Sequence, residues 1–324
     1  MIGLKQISLK EAIGFGSSVL LVLVVPLIGG EFWQYMIANM LLLAVFALSF
    51  NLLFGMAGYL SFGHAAFYAV GAYVTGLLML ANCPLLMTIF LGAAGAAILA
   101  AVLGIFCVRN TQAYFSLLTL AMGMMVYAIV WKWASVTGGD DGLIGIPRGE
   151  LGIPGIISLS LNGFIEYYYF LAIVSFLAIA VLYCIHNSPF GLVLRGIREN
   201  FSRVDFSGIN ARKYVWIAFV IAGFFAGLAG ALMAPMERTV SPAIANWTKS
   251  GEPVFASLIG GPEFFFGPVV GAVIFLGLKE LIVRFTQYWL LCFGILLLGI
   301  VLGFRGGVIG FIQKRLAKKQ GDGS

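Results

Sequence analysis

Few side chains in this sequence can do chemistry, and their types and spacing narrow what that chemistry is. The two histidines, His64 and His186, lie far apart, and neither has a nucleophile or a cluster of metal ligands near it, so an enzyme has no visible apparatus here. Cys83, Cys107, Cys184 and Cys292 fall in or beside apolar runs without metal-type or disulfide spacing, which suits small apolar filler. Asp140 and Asp141 sit together in a turn-rich stretch but lack the ligand spacing of a calcium loop. No G-x-x-x-x-G-K-[ST] run and no Gly-Lys dipeptide occurs, so the chain has no P-loop cradle for a nucleotide. Neither a metal nor a cofactor is expected.

What remains is polar chemistry inside apolar surroundings. Lys279, Glu280 and Arg284 stand within an apolar run, where charge is costly and marks pairing or a solute path. Glu280 and Arg284 are four apart in the favourable order for a helical ion pair, and Lys279 can snorkel along its helix. Structural pairing and contact with a solute or a second subunit are both open. His64 stands in the same position: it can fix a neighbouring helix by a hydrogen bond, or contact or gate a solute. Around it, Gly55, Gly58 and Gly63 flank Ser61 and can break a helix, freeing backbone groups to satisfy a polar solute. Gly58, Ser61, Gly63, His64, Tyr68 and Thr119 are the candidates for a translocation path.

The elements that must position these residues are membrane helices. Of 324 residues, 61% are hydrophobic and 10% charged, against about 45–50% and about 25% in an ordinary soluble domain. Apolar runs of about 20 residues recur along the chain, each matching the hydrocarbon thickness. They predict spans near 13–30, 35–54, 62–80, 87–108, 113–131, 167–185, 214–234, 268–285 and 288–304, with a short broken or re-entrant element at 253–260 between glycine and proline punctuation. The fold class is therefore all-α integral membrane, a polytopic bundle of about 8–10 segments forming one domain over 1–324. The first run follows Lys5 and Lys10 as a signal peptide would, but lacks a small-residue cleavage site and is read as a retained helix.

Charge asymmetry predicts orientation. Lys5, Lys10, Arg109, Arg195, Arg198, Arg203, Arg212, Lys213, Arg305, Lys314, Arg315, Lys318 and Lys319 fall on one side, which places those segments and both termini in the cytoplasm. The long acidic segment 135–166 and the segment 235–252 face outward. The net charge of +6 does not form a basic stripe with interleaved aromatics, so no nucleic acid is expected.

On the cytoplasmic side, loop 186–213 leaves the membrane through Pro189 and Gly191. Over 192–206 it repeats Leu194, Ile197, Phe201 and Val204 at helical spacing, which predicts a short amphipathic helix with Arg and Glu projecting outward, ended by a left-handed Gly208. A docking surface for a cytoplasmic partner and a loop resting on lipid headgroups both fit.

The run Arg195-Gly196-Ile197-Arg198-Glu199-Asn200, then Gly208-Ile209-Asn210, Ala218-Phe219 and residues 226–231 (AGLAGA), resembles the cytoplasmic loop and following helix of the branched-chain amino acid ABC permease family. Gly58, residues 60–67 (LSFGHAAF), residues 71–73 (GAY), Tyr114-Phe115 with Thr119-Leu120-Ala121, Thr137-Gly138-Gly139, Gly260-Gly261 and Gly267-Pro268 match further stations in order, covering about residues 35–310. The resemblance departs at Tyr59, Met124 and residues 262–264. It implies a permease subunit of the bacterial inner membrane, importing leucine, isoleucine or valine. Its partners would be a second homologous permease, two cytoplasmic ATP-binding subunits and an extracytoplasmic solute-binding protein, with lipid around it. It also implies that Arg195, Arg198, Glu199, Asn200, Gly208, Ile209 and Asn210 couple to the ATPases. The long, turn-rich acidic outer segment fits either docking of the binding protein or a solvated connector. Urea, a short amide or an aromatic amino acid remain alternative solutes. A self-contained channel or secondary transporter would need an array of intramembrane carboxylates, for which only Glu280 qualifies.

Overall fold

The computed structural model describes residues 30–109, 112–153, 157–161, 163–285, 288, 291–292, 294–295, 299 and 306–311. The expected span near 13–30, with Lys5 and Lys10, lies outside the described residues, as do Arg305, Lys314, Arg315, Lys318 and Lys319. The span near 288–304 is described only at scattered positions.

Apolar runs become helices close to their expected places. Helix α1 (Gly30–Asn51) continues into a π-helical turn (Leu52–Ala57) that Gly58 ends in the left-handed region at φ 79°. Then follow α2 (His64–Leu80), α3 (Leu85–Cys107), α4 (Gln112–Lys132), α5 (Phe164–Asn187), the short α6 (Pro189–Glu199) and α7 (Phe201–Phe206), α8 (Ala211–Glu237), α9 (Trp247–Gly260) and α10 (Gly267–Phe285). Among the described residues, five stretches are long and apolar enough to cross a bilayer: Gly30–Ala57, α3, α4, α5 and α8.

Burial separates the axle from the rim. In the apolar window of α1, 89% of residues are buried inside the protein, against 28% in α4. A helix apolar on all sides and covered by protein must be the centre of its bundle, whereas α4 and α3 turn Tyr114, Leu117, Phe90, Ile98 and Phe106 outward, as lipid-facing helices do.

Small residues set how closely α2, α3 and α8 approach. A β-carbon on Gly71 would overlap the Gly227 backbone, and one on Gly230 the Tyr68 carbonyl, while Gly227 and Gly223 leave room for Ala96 and Ala100. The small residues of α3 over 92–100 and of α8 over 223–231 are thus helix contacts, which lipid alone would not drive without such close packing. Gly230→Val places two methyl groups against backbone that cannot rotate away. It is expected to cost about 1–3 kcal/mol, read as an earlier loss of monodisperse protein on heating in detergent.

Three expectations need correction. The short element expected at 253–260 begins earlier: Asn246 caps α9 by accepting from the Thr248 amide at 3.1 Å, so the helix starts at Trp247. At the other side α8 runs through Pro235 to Glu237, and the outer segment expected over 235–252 shrinks to residues 238–246. The single amphipathic helix expected over 192–206 starts at Pro189 and breaks at Asn200, whose extended backbone (φ −159°, ψ 100°) lets its side chain accept from the Arg203 amide at 2.9 Å and start α7. Pro189 is the first residue of α6, capped by Ser188.

At about 1.5 Å per residue, 14-residue α9 spans only ~21 Å, short of a crossing. It folds against α10 as a hairpin whose tip, residues 261–266, rests on the π-helical turn: the Asn51 side chain donates to the Pro262 carbonyl at 3.2 Å. The segment 135–166, expected to face outward, also holds structure that its turn-rich composition concealed. β1 (Leu143–Ile144) pairs antiparallel with β4 (Thr239–Val240), and β2 (Glu150–Ile153) with β3 (Ile157–Ser160). Buried Leu143 and Ile146 pin this cap over Gly76 of α2.

Candidate functional site

The broken segment between α1 and α2 is where the bundle is most irregular. After Gly58 the chain crosses to α4, where the Phe62 amide donates to Thr119 Oγ1 at 3.2 Å and Gly63 lies directly on the Thr119 carbonyl. Helix α2 then starts at His64, and the Ala65 amide in its first turn donates to Ser250 Oγ of α9 at 2.8 Å. Two elements distant in sequence, α4 and α9, thus supply partners that a broken helix loses inside a membrane.

His64 itself is closed off. Its Nε2 lies 2.9 Å from Ser49 Oγ, its ring stacks on Phe46 at 5.4 Å, and Phe50 and Phe67 meet it edge-on. His64 and Ser61 have no accessible surface, so a solute reaches them only if these helices separate. His64 and Tyr68 meet the C-terminal part of α1 at Phe46, while Gly63 and Thr119 meet where the chain crosses α4, with Ser61 on the same crossing. Gly58 stands apart, against Gln112 and the side chain of Arg198.

Beside this crossing the first turn of α9 carries an ion cluster. Lys249 Nζ lies 2.6 Å from Glu252 Oε2, Lys279 Nζ lies 3.5 Å from Glu252 Oε1, and the Lys249 ammonium sits 5.2 Å from the centre of the Tyr68 ring. Lys279 therefore pairs with Glu252 instead of snorkelling. Near the N-terminal end of α1, the Tyr35 hydroxyl donates to Glu237 Oε1 at 2.6 Å. Glu280 and Arg284 do form the expected pair at 3.3 Å, but both side chains are substantially exposed, and Arg284 also covers the Phe32 ring at 5.3 Å. Sequence reasoning missed Lys249, Glu252, Tyr35 and Glu237. The readable signal was Asn246 followed by a charge pair three apart, a helix start placed before an apolar run. Glu280 is thus not the only carboxylate near membrane depth, although Glu252 faces two ammonium groups rather than standing alone.

The loop between α5 and α8 grips the same irregular turn from the other end. The inner faces of α6, Leu194 and Ile197, are buried. Arg198 is exposed, as expected, yet its Nη1 reaches back to donate to the Gly55 carbonyl at 2.6 Å, within the π-helical turn that follows α1. Arg195 turns back along α5, donating to the His186 carbonyl at 2.7 Å. Glu199 stays exposed, and Asn200 and Asn210 are helix caps, Asn210 accepting from the Lys213 amide at 3.0 Å. Gly208 is left-handed at φ 88°, as expected, and Ile209 is half-buried. Next to the loop, Arg109, Arg198 and Arg212 line a groove of about 430 Å³ with Tyr59 and Gln112.

A profile of the family described as branched-chain amino acid transport system, permease component, matches residues 32–302. The chain is 26% identical over 336 residues to the high-affinity branched-chain amino acid transport system permease protein LivM of Escherichia coli, covering 93% of this chain and 77% of the relative. It is 25% identical over 254 residues to LivH of Salmonella typhimurium, covering 73% and 80%. A shorter similarity, 30% over 133 residues and 40% of each chain, is to the guanosine ABC transporter permease protein NupQ of Bacillus subtilis. No solved structure matches the chain.

Proposed function

We propose that this chain, which belongs to the branched-chain amino acid transport system permease component family, forms one half of a pore that imports leucine, isoleucine or valine across the bacterial inner membrane, paired with a second homologous permease. Two cytoplasmic ATP-binding subunits supply the energy, an extracytoplasmic binding protein delivers the solute, and both termini face the cytoplasm. Residues 1–324 act as one transmembrane domain, with 186–213 as its coupling loop. No covalent chemistry on the solute is involved.

The observation that carries this reading is the 2.6 Å bond from Arg198 to the Gly55 carbonyl. It ties a surface helix suited to a partner directly to the π-helical end of the most buried helix. A π turn is a common functional irregularity, less firmly bonded than the helix around it. Force applied to α6 reaches that turn, then the Gly58–Gly63 crossing and the His64 cage. Separation of α1, α4 and α9 there opens the polar lining that is closed in this arrangement, a change between two packings and not a continuous deformation.

The test is ATP-dependent uptake of labelled leucine by proteoliposomes containing this chain, its second permease, the ATPases and the binding protein, against a panel including urea, phenylalanine and guanosine. Uptake by the chain alone down a gradient would favour the channel reading instead.

A further inference from the structure

Where α3 stops and α4 begins, the groove of about 430 Å³ beside α6 gathers three arginines from separate parts of the chain. Arg109 follows the end of α3, Arg198 stands near the end of α6, and Arg212 lies in the first turn of α8. Glu199 is the single carboxylate among the residues that line the groove, so three guanidinium groups meet one anion and the balance is positive. Among the described residues none of these arginines is ion-paired with a carboxylate.

The broken segment between α1 and α2 sets the floor of the groove. A β-carbon on Gly58 would lie 3.0 Å from the Gln112 amide nitrogen and 3.2 Å from the Arg198 stem, so these two side chains close over a residue that has none. The next residue, Tyr59, meets Phe115 of α4 edge-on at 5.1 Å, and Arg212 is near enough to act electrostatically on its hydroxyl. Arg198 gives one N–H to the Gly55 carbonyl and keeps the rest of its fork for another acceptor.

The groove adjoins lipid-facing surface. Gln112 opens α4, which turns Tyr114 and Leu117 outward, and Ile105 is exposed one turn before Arg109. A soluble anion has no use for that apolar flank, and an acidic protein segment would bring polar backbone against it. A lipid with a phosphate headgroup matches both parts, since a guanidinium pairs with two phosphate oxygens at once and basic pockets between membrane helices hold such headgroups.

We propose that this groove binds an anionic phospholipid, its phosphodiester held by Arg109, Arg198 and Arg212 and its acyl chains lying along Ile105, Tyr114 and Leu117. The bound lipid joins the ends of α3 and α4 to the seat of α6. The inference goes beyond the import reading and does not depend on it.

The test titrates the full-length chain in a nonionic detergent with dioleoylphosphatidylglycerol or dioleoylphosphatidylethanolamine and counts bound lipid by native mass spectrometry. The first phosphatidylglycerol is expected to bind about tenfold or more tighter than the first phosphatidylethanolamine. Arg109→Gln and Arg212→Gln are each expected to weaken phosphatidylglycerol about fivefold and leave phosphatidylethanolamine unchanged. Arg212→Lys is expected to recover part of the loss. Glu199→Gln removes the opposing carboxylate and is expected to tighten phosphatidylglycerol about twofold or more, a gain that damage to the fold would not produce. Equal affinity for the two lipids overturns the site, as does phosphatidylglycerol binding that both arginine variants leave unchanged. Displacement of the lipid by an equal concentration of inorganic phosphate or sn-glycerol 3-phosphate would assign the groove to a soluble anion. An Arg212→Gln effect that disappears in the assembled importer would assign it to a partner subunit, and either result overturns the lipid. Uptake of leucine with ATP but no lipid preference ends this inference alone; lipid preference without uptake ends the import reading alone.

Discussion

A Glu252→Gln importer is expected to unfold several degrees earlier than the wild type and to lose at least nine-tenths of its leucine uptake. Glu252 contacts both Lys249, at 2.6 Å, and Lys279, at 3.5 Å, and its side chain is only 17% exposed. The two ammonium groups come from α9 and α10, so the carboxylate fastens the hairpin as well as neutralising it. Removing one partner from a buried ion group costs about 3–5 kcal/mol, because the remaining charge keeps its desolvation without compensation. With Lys249 and Lys279 themselves 26% and 33% exposed, the lower end of that range applies. The amide keeps the shape of the side chain, so the loss reports charge and not packing. Adding Lys249→Met to Glu252→Gln is expected to return much of the thermal stability, since it deletes the cation closer to the lost carboxylate, but not the uptake if the cluster contacts solute. Thermal unfolding in detergent separates the two effects. Unchanged melting and uptake in the single variant would show that solvent or lipid headgroups already neutralise these lysines.

Hydropathy located α1, α3, α4, α5 and α8 well, because a bilayer demands an unbroken apolar run and a sequence cannot hide one. It failed where polar residues enter a membrane helix. The first turn of α9 carries Thr248, Lys249, Ser250 and Glu252, so a window average assigns them to a loop, while the structure uses Ser250 as a cap for α2 and Glu252 as a three-way tie. Lys279 was recognised as unusual, but its partner lies 27 residues away and only the hairpin brings the two together. The π-helical turn is invisible in composition. Only its ending at Gly58 was legible, since that position needs a left-handed residue. At Asn200 both readings were available from the residue type: asparagine continues a helix poorly and caps one well, and periodicity over 192–206 masked the break. His64 was marked for its cost at membrane depth, and the structure answers that cost with Ser49 and an aromatic cage rather than with open space.

The direction of Arg198 changes what a coupling experiment should measure. Arg198 and Glu199 are exposed neighbours on α6, yet the guanidinium of the first reaches in to the Gly55 carbonyl. Reversing both charges together would confuse two functions. In Arg198→Ala the buried Leu194 and Ile197 still seat α6, so a partner still docks and ATP hydrolysis continues. What is lost is a charged hydrogen bond to a carbonyl at the C-terminal end of α1, where free carbonyls and the helix dipole favour a cation. Such bonds are worth about 1.5–3 kcal/mol, so leucine carried per ATP hydrolysed is expected to fall about tenfold or more while the hydrolysis rate stays near its wild-type value. Arg198→Lys keeps the charge but not the reach of the guanidinium, and is expected to recover only part of the ratio. Glu199→Lys is expected to act the other way: it lowers solute-stimulated hydrolysis itself, and leaves the leucine carried in each remaining cycle unchanged. A ratio of transport to hydrolysis that Arg198→Ala leaves intact would mean that α6 moves the bundle through its apolar face alone, with the π-helical turn a passive seat.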